Sequence, residues 1–169
     1  MSIEVASNMK NIALATSILA TTLLAAGGVQ AQGFGGSYAA VFLGDHTNGS
    51  PGALSYGGVM GHNIALGSAV VGSIEEELSF DPKSGWGSGT AVSGTVSARA
   101  GYDLGPALVF GKLGVGYSSV NTGYWVLGAG VDYDLSGRAF LRAEIDSLDP
   151  SKSGLSTANV IKLGLGWKF

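Results

Sequence analysis

The last eleven residues of the chain alternate without a break. Asn159, Ile161, Leu163, Leu165, Trp167 and Phe169 share one parity, and Val160, Lys162, Gly164, Gly166 and Lys168 share the other. A period of two belongs to a β-strand, whose successive side chains leave opposite faces of a sheet. One face here is apolar and ends in aromatics; the other is glycine and lysine. The pattern recurs upstream. Leu141, Ala143 and Ile145 stand opposite Arg142, Glu144 and Asp146. Trp125, Leu127, Ala129, Val131 and Tyr133 stand opposite Gly128, Gly130 and Asp132. Val109, Leu113, Val115 and Tyr117 stand opposite Lys112 and Gly116, and Val96, Ala98, Ala100 and Tyr102 opposite Ser97, Arg99 and Gly101. Val70, Ile74, Leu78 and Phe80 stand opposite Ser73, Glu75 and Glu77. Two weaker segments, 34–43 and 54–63, come first; Gly57, Gly58 and Gly61 blur their alternation.

Eight segments of about ten residues predict eight strands, each long enough to cross a bilayer at a tilt. Composition decides which way the faces point. Charged residues make up 12% of the chain, about half the usual ~25%. Mean hydropathy is +0.32, yet no run of 18 apolar residues lies outside the N-terminal region, so a helical membrane protein is excluded. Apolar residues broken by 29 glycines suit lipid-facing strands around a polar interior. Asp103-Leu104-Gly105-Pro106 and Asp134-Leu135-Ser136-Gly137 read as tight turns, and 63–65 as a third. Segments 44–53, 81–92 and 149–158 are longer and polar. Short turns at one end and longer loops at the other are the outer-membrane pattern, with the short end periplasmic. On that orientation Phe34, Tyr102, Tyr133, Trp167 and Phe169 form a periplasmic aromatic girdle, and Phe42, Tyr56, Phe80, Tyr117 and Trp125 an outer one.

The N-terminal region reads as an address. Met9 and Lys10 precede an apolar stretch from Ile12 to Ala26 and a V-x-A site ending at Ala31. This is the layout of a secretory signal peptide over 1–31, leaving a barrel over 32–169, with Met9 an alternative start to Met1. The stretch is too short for a helical anchor of ~20 residues.

The inward parity collects Glu75, Glu77, Asp132, Glu144 and Asp146 with Arg99, Lys112, Arg142 and Lys162. Five acids and four bases are nearly balanced, which favours a structural salt-bridge network filling the lumen over an ion pathway. Glu76 has the lipid-facing parity; a β-bulge or a position near the headgroups would accommodate it. The absence of cysteine removes thiolate metal sites and cysteine nucleophiles. A net charge of −3, with basic residues scattered singly, gives no case for nucleic acid. His46, with Asp45 and Ser50, is the one grouping that could serve an outer-leaflet enzyme, but its spacing is loop-like; no catalytic residue, cofactor or metal is expected.

The segments Gly94–Asp103, Val109–Tyr117, Gly128–Tyr133 and Ile161–Phe169 resemble the outer-membrane β-barrel domain family. That family includes opacity-type and immunogenic outer-membrane proteins and the barrel of outer-membrane protein A. The resemblance covers about 34–169 and is strongest from Gly94 onward. It implies an eight-stranded antiparallel up-and-down barrel in the cell outer membrane, exported through the secretory pathway. It also implies a terminal signal, Trp167 and Phe169, read by the barrel assembly machinery. The role implied is structural or surface-exposed: envelope integrity, immunogenicity, a narrow pore. A lipid A-modifying enzyme or a surface adhesin is the alternative, and outer-membrane lipid is the expected surrounding partner.

Overall fold

The structure is a computed structural model that describes residues 33–47, 54–82, 89–120 and 122–169. The signal-peptide segment 1–31 lies outside the described residues.

Eight antiparallel strands form one closed barrel. They are β1 (Gly36–His46), β2 (Leu54–Ala65), β3 (Val70–Asp81), β4 (Ala91–Asp103), β5 (Ala107–Ser118), β6 (Thr122–Asp134), β7 (Ala139–Pro150) and β8 (Ala158–Lys168). Each pairs with its neighbours in sequence, and β1 pairs with β8 to close the sheet. The stagger can be followed residue by residue. From Gly36 the paired positions run through Asn63, Ser73, Arg99, Lys112, Gly128, Asp146 and Val160, and re-enter β1 at His46. The path thus returns ten residues further along the first strand, from 36 to 46. A shear of that size on eight strands sets a tilt of about 40° and an interior just wide enough for side chains to fill.

The strand ends differ from the sequence reading in ways that matter for the site. β1 continues through His46, so Asp45 and His46 belong to a strand and not to the first loop. β3 begins at Val70, and its turn spans 66–69 and not 63–65. Leu66 N donates to Val70 O at 2.8 Å and closes that turn. The two turns read from sequence close on their aspartates. Asp134 Oδ1 accepts from the backbone N of Ser136 (3.0 Å) and Gly137 (2.6 Å), and Asp103 Oδ1 accepts from Gly105 N at 2.7 Å. Gly105 and Gly137 take φ values of 91° and 74°, which glycine adopts without a Cβ clash.

Outside, the barrel carries Val41, Leu43, Met60, Ile74, Leu113, Leu127, Ile145, Leu163 and Leu165, all exposed. A contiguous apolar surface of this extent is suited to lipid and not to water. Aromatics border it: Tyr102, Tyr133, Trp167 and Phe169 at the turn end, and Tyr56, Tyr117 and Trp125 at the loop end, with Phe80 stacked on Tyr56 at 5.5 Å. Phe34 and Phe42 are corrections to the expected girdles. Both are buried inside the barrel, because the inward parity of β1 is that of Tyr38, Ala40 and Phe42. The β3 ladders run without interruption on both sides, so no bulge relieves Glu76. Its carboxylate lies on the lipid side between Met60 and Val96, midway along β3.

Candidate functional site: the barrel interior

Inward glycines and inward aromatics occupy directly paired positions. Tyr38 pairs with Gly61, Phe42 with Gly57, Phe110 with Gly130, Tyr124 with Gly116 and Phe140 with Gly166. A Cβ placed on any of these glycines would lie within 2.6 Å of the ring it faces. Each ring therefore lies flat over a neighbour that has no side chain. The same device seats an acid: a Cβ on Gly128 would lie 2.0 Å from Asp146 Oδ1. The glycines that obscure alternation in the sequence are the space into which the lumen packs.

From the turn end upward the lumen has layers. The lowest is an apolar cluster of Phe34, Val71 and Leu108. Lys168 Nζ sits above the Phe34 ring at 4.6 Å and donates to Asp134 Oδ2 (2.8 Å) and Gly33 O (2.7 Å). The inner ionic layer comes next. Arg142 grips Asp132 with two donors, Nε to Oδ1 at 2.6 Å and NH2 to Oδ2 at 2.8 Å, and reaches Glu75 Oε1 at 2.5 Å. Arg99 bonds Glu75 Oε1 at 2.6 Å and Asp132 Oδ2 at 3.0 Å. Tyr38 adds its hydroxyl, donating to Glu75 and accepting from Arg99 at 2.7 Å. The Arg99 guanidinium carbon stands 3.4 Å from the centroid of Phe110, and Tyr38 meets Phe140 edge-on at 5.7 Å. Two acids and two arginines are thus matched and hydrogen-bonded, the condition under which buried charge is tolerated.

The outer ionic layer is built on lysine. Lys112 Nζ donates to Glu144 Oε1 (2.5 Å) and Asp146 Oδ2 (2.7 Å). Lys162 Nζ donates to Glu77 Oε1 (2.5 Å) and Asp146 Oδ2 (2.7 Å) and lies 4.8 Å from the Phe42 centroid. The nine charged residues read from sequence as a lumen network are therefore inside, in two groups. Toward the loops the lumen widens into a chamber of about 30 Å³, lined among others by His46, Ser55, Asp81, Ser93, Ser118 and Tyr124.

The grouping of His46 with Asp45 and Ser50 is not formed. Alternation along β1 sends Asp45 to the outer face and His46 to the lumen, and Ser50 lies outside the described residues. His46 Nε2 instead faces Asp81 Oδ1 at 3.3 Å, across from β1 to β3. No sequence signal joins these two residues. Strand order puts the ends of β1 and β3 at the same rim, and the stagger of the barrel sets these two side chains against each other. Tyr38 and its rings were hidden for a related reason: the face of β1 cannot be read where glycines blur the period.

No protein-family model matches the chain. No curated protein matches it. Solved structures do. The N-terminal β-barrel domain of Pseudomonas aeruginosa OprF aligns at 18% identity with a TM-score of 0.55, covering 83% of this chain and 100% of that one. Ail, the attachment invasion locus protein of Yersinia pestis, aligns at 13% identity with a TM-score of 0.56, covering 80% and 100%. A de novo designed transmembrane β-barrel aligns at 18% identity with a TM-score of 0.57, covering 80% and 96%. The domain of a larger natural protein, an attachment invasion locus protein and a designed sequence share this architecture, so the likeness carries fold and not activity. A closed sheet of eight antiparallel strands, apolar outside and ionic within, gives this chain the fold of the eight-stranded outer-membrane β-barrels.

Proposed function

We propose that the protein is a structural, non-conducting barrel of a Gram-negative outer membrane, with its turns in the periplasm and its loops at the cell surface. The observation that supports this is the filled lumen. The Phe34–Val71–Leu108 cluster, the Arg99–Arg142 layer and the Lys112–Lys162 layer lie in series across the bore. An ion crossing it would have to break paired, desolvated charges in two successive layers. On the same reading Trp167 and Phe169, both exposed, are the signal for the barrel assembly machinery, and outer-membrane lipid is the partner of the apolar exterior. Export through a signal peptide over 1–31 belongs to the same reading. An enzymatic role on lipid A has less support, since His46 is turned into the lumen, away from the lipid face.

Planar-bilayer recording tests the proposal. Purified folded protein is expected to give no discrete conductance steps in 1 M KCl. Steps that persist in the wild type and change size in Arg142→Met would replace the structural reading with that of a pore.

A further inference from the structure

The two ionic layers differ in charge balance. The inner one matches Glu75 and Asp132 with Arg99 and Arg142. In the outer half of the lumen, Glu77, Glu144 and Asp146 share Lys112 and Lys162, and Asp81 faces His46. Three carboxylates thus share two ammonium groups, and a fourth faces an imidazole. Carboxylate oxygens of Glu77, Glu144 and Asp146 lie within 4.8 Å of one another. Uncompensated negative charge in a desolvated interior is costly, so something positive belongs there.

A second observation points to the same place. Buried polar atoms without a hydrogen-bond partner gather at the chamber above this layer: His46 Nδ1, Ser55 Oγ and Ser118 Oγ. Ser118 is fully buried and Ser55 is 2% exposed. Buried polar atoms that bond nothing cost free energy, and two hydroxyls with an imidazole nitrogen at one small cavity are a set of waiting ligand atoms. Asp81 and Glu77 line the same cavity, which has room for an ion with a water or two. Hydroxyl and carboxylate oxygens are the donors that hard cations choose.

We propose that this chamber binds one hard divalent cation, of the Ca²⁺ or Mg²⁺ class, at the loop end of the barrel. Asp81 and Glu77 supply the charge; Ser55 and Ser118 supply neutral oxygens. The ion offsets the excess negative charge of the outer layer. It also ties β3 to the ends of β2 and β5 across the mouth. Lys162 stays bound to Glu77 and Asp146 as the floor of the site.

The test is calorimetric titration of the folded, EDTA-treated protein in detergent with CaCl₂ and with MgCl₂. One saturable site per chain is expected, with a dissociation constant on the order of 10⁻⁴ M. Asp81→Asn is expected to weaken it about tenfold or more. Ser118→Ala is expected to weaken it by a smaller factor, without removing a charge. Asp45→Asn, which alters an acid on the outer face of the same rim, is expected to leave binding unchanged. No saturable binding by about 10 mM of either ion overturns the proposal. So does equal binding in wild type and in both chamber variants, or loss of binding in Asp45→Asn alone. If Asp81→Asn does not fold, as judged by gel mobility before and after boiling, Ser118→Ala and the rise in wild-type melting temperature with CaCl₂ decide the question. No rise and no difference then count against it.

Discussion

Glu76 is the residue most at odds with its surroundings. Its neighbours across both ladders are Met60 and Val96, and it stands midway between the aromatic borders of the barrel. A carboxyl facing lipid at that depth costs free energy, though less than a lysine or arginine. Glu76→Leu is therefore expected to stabilise the barrel by about 1–2 kcal/mol, read from denaturant unfolding in lipid vesicles. Destabilisation would mean that the carboxylate has a partner on the lipid face. Arg142 is the opposite case. It holds Asp132 with two bonds and Glu75 with a third, so Arg142→Met leaves two buried carboxylates to share Arg99 alone. A loss of about 3–5 kcal/mol is expected in the same assay. Adding Asp132→Leu to that variant is expected to recover part of the loss, because it leaves Glu75 matched one to one with Arg99.

Between strands, the unit of packing is the inward ring over the paired glycine. Gly166→Ala would place a methyl 2.1 Å from the Phe140 ring, which is fixed in turn by Tyr38. Gly61→Ala would do the same to Tyr38, whose hydroxyl is committed to Glu75 and Arg99. Each is expected to cost about 1–3 kcal/mol through overpacking. Gly94→Ala is the control: its Cβ would meet nothing within 4 Å, and no comparable loss is expected. This explains how much of the molecule was legible before its structure. The strands from Gly94 onward could be read because one face is plainly apolar and the other plainly charged or glycine. β1 and β2 could be read as strands but their faces could not be assigned, because Tyr38 and Phe42 are aromatics that face inward, and they look like lipid-facing residues until their glycine partners across the ladder are known. The nine charged residues could be placed inside by parity alone. Their division into an arginine layer and a lysine layer could not, since it depends on the stagger between strands.

For the whole molecule, closure is what makes every other feature work. An open sheet of the same strands would leave β1 and β8 with unpaired backbone groups in lipid, and it would expose nine charged side chains to the hydrocarbon. The paired register from Tyr38–Lys168 to His46–Val160 removes both problems at once. It also predicts a closed, heat-resistant species that migrates differently from the unfolded chain. The most direct check is gel electrophoresis of isolated outer membranes, comparing unheated and boiled samples. A closed membrane-spanning barrel predicts that the protein is found in that fraction and that its band shifts on boiling. Recovery in the soluble fraction with the same mobility before and after boiling would contradict it.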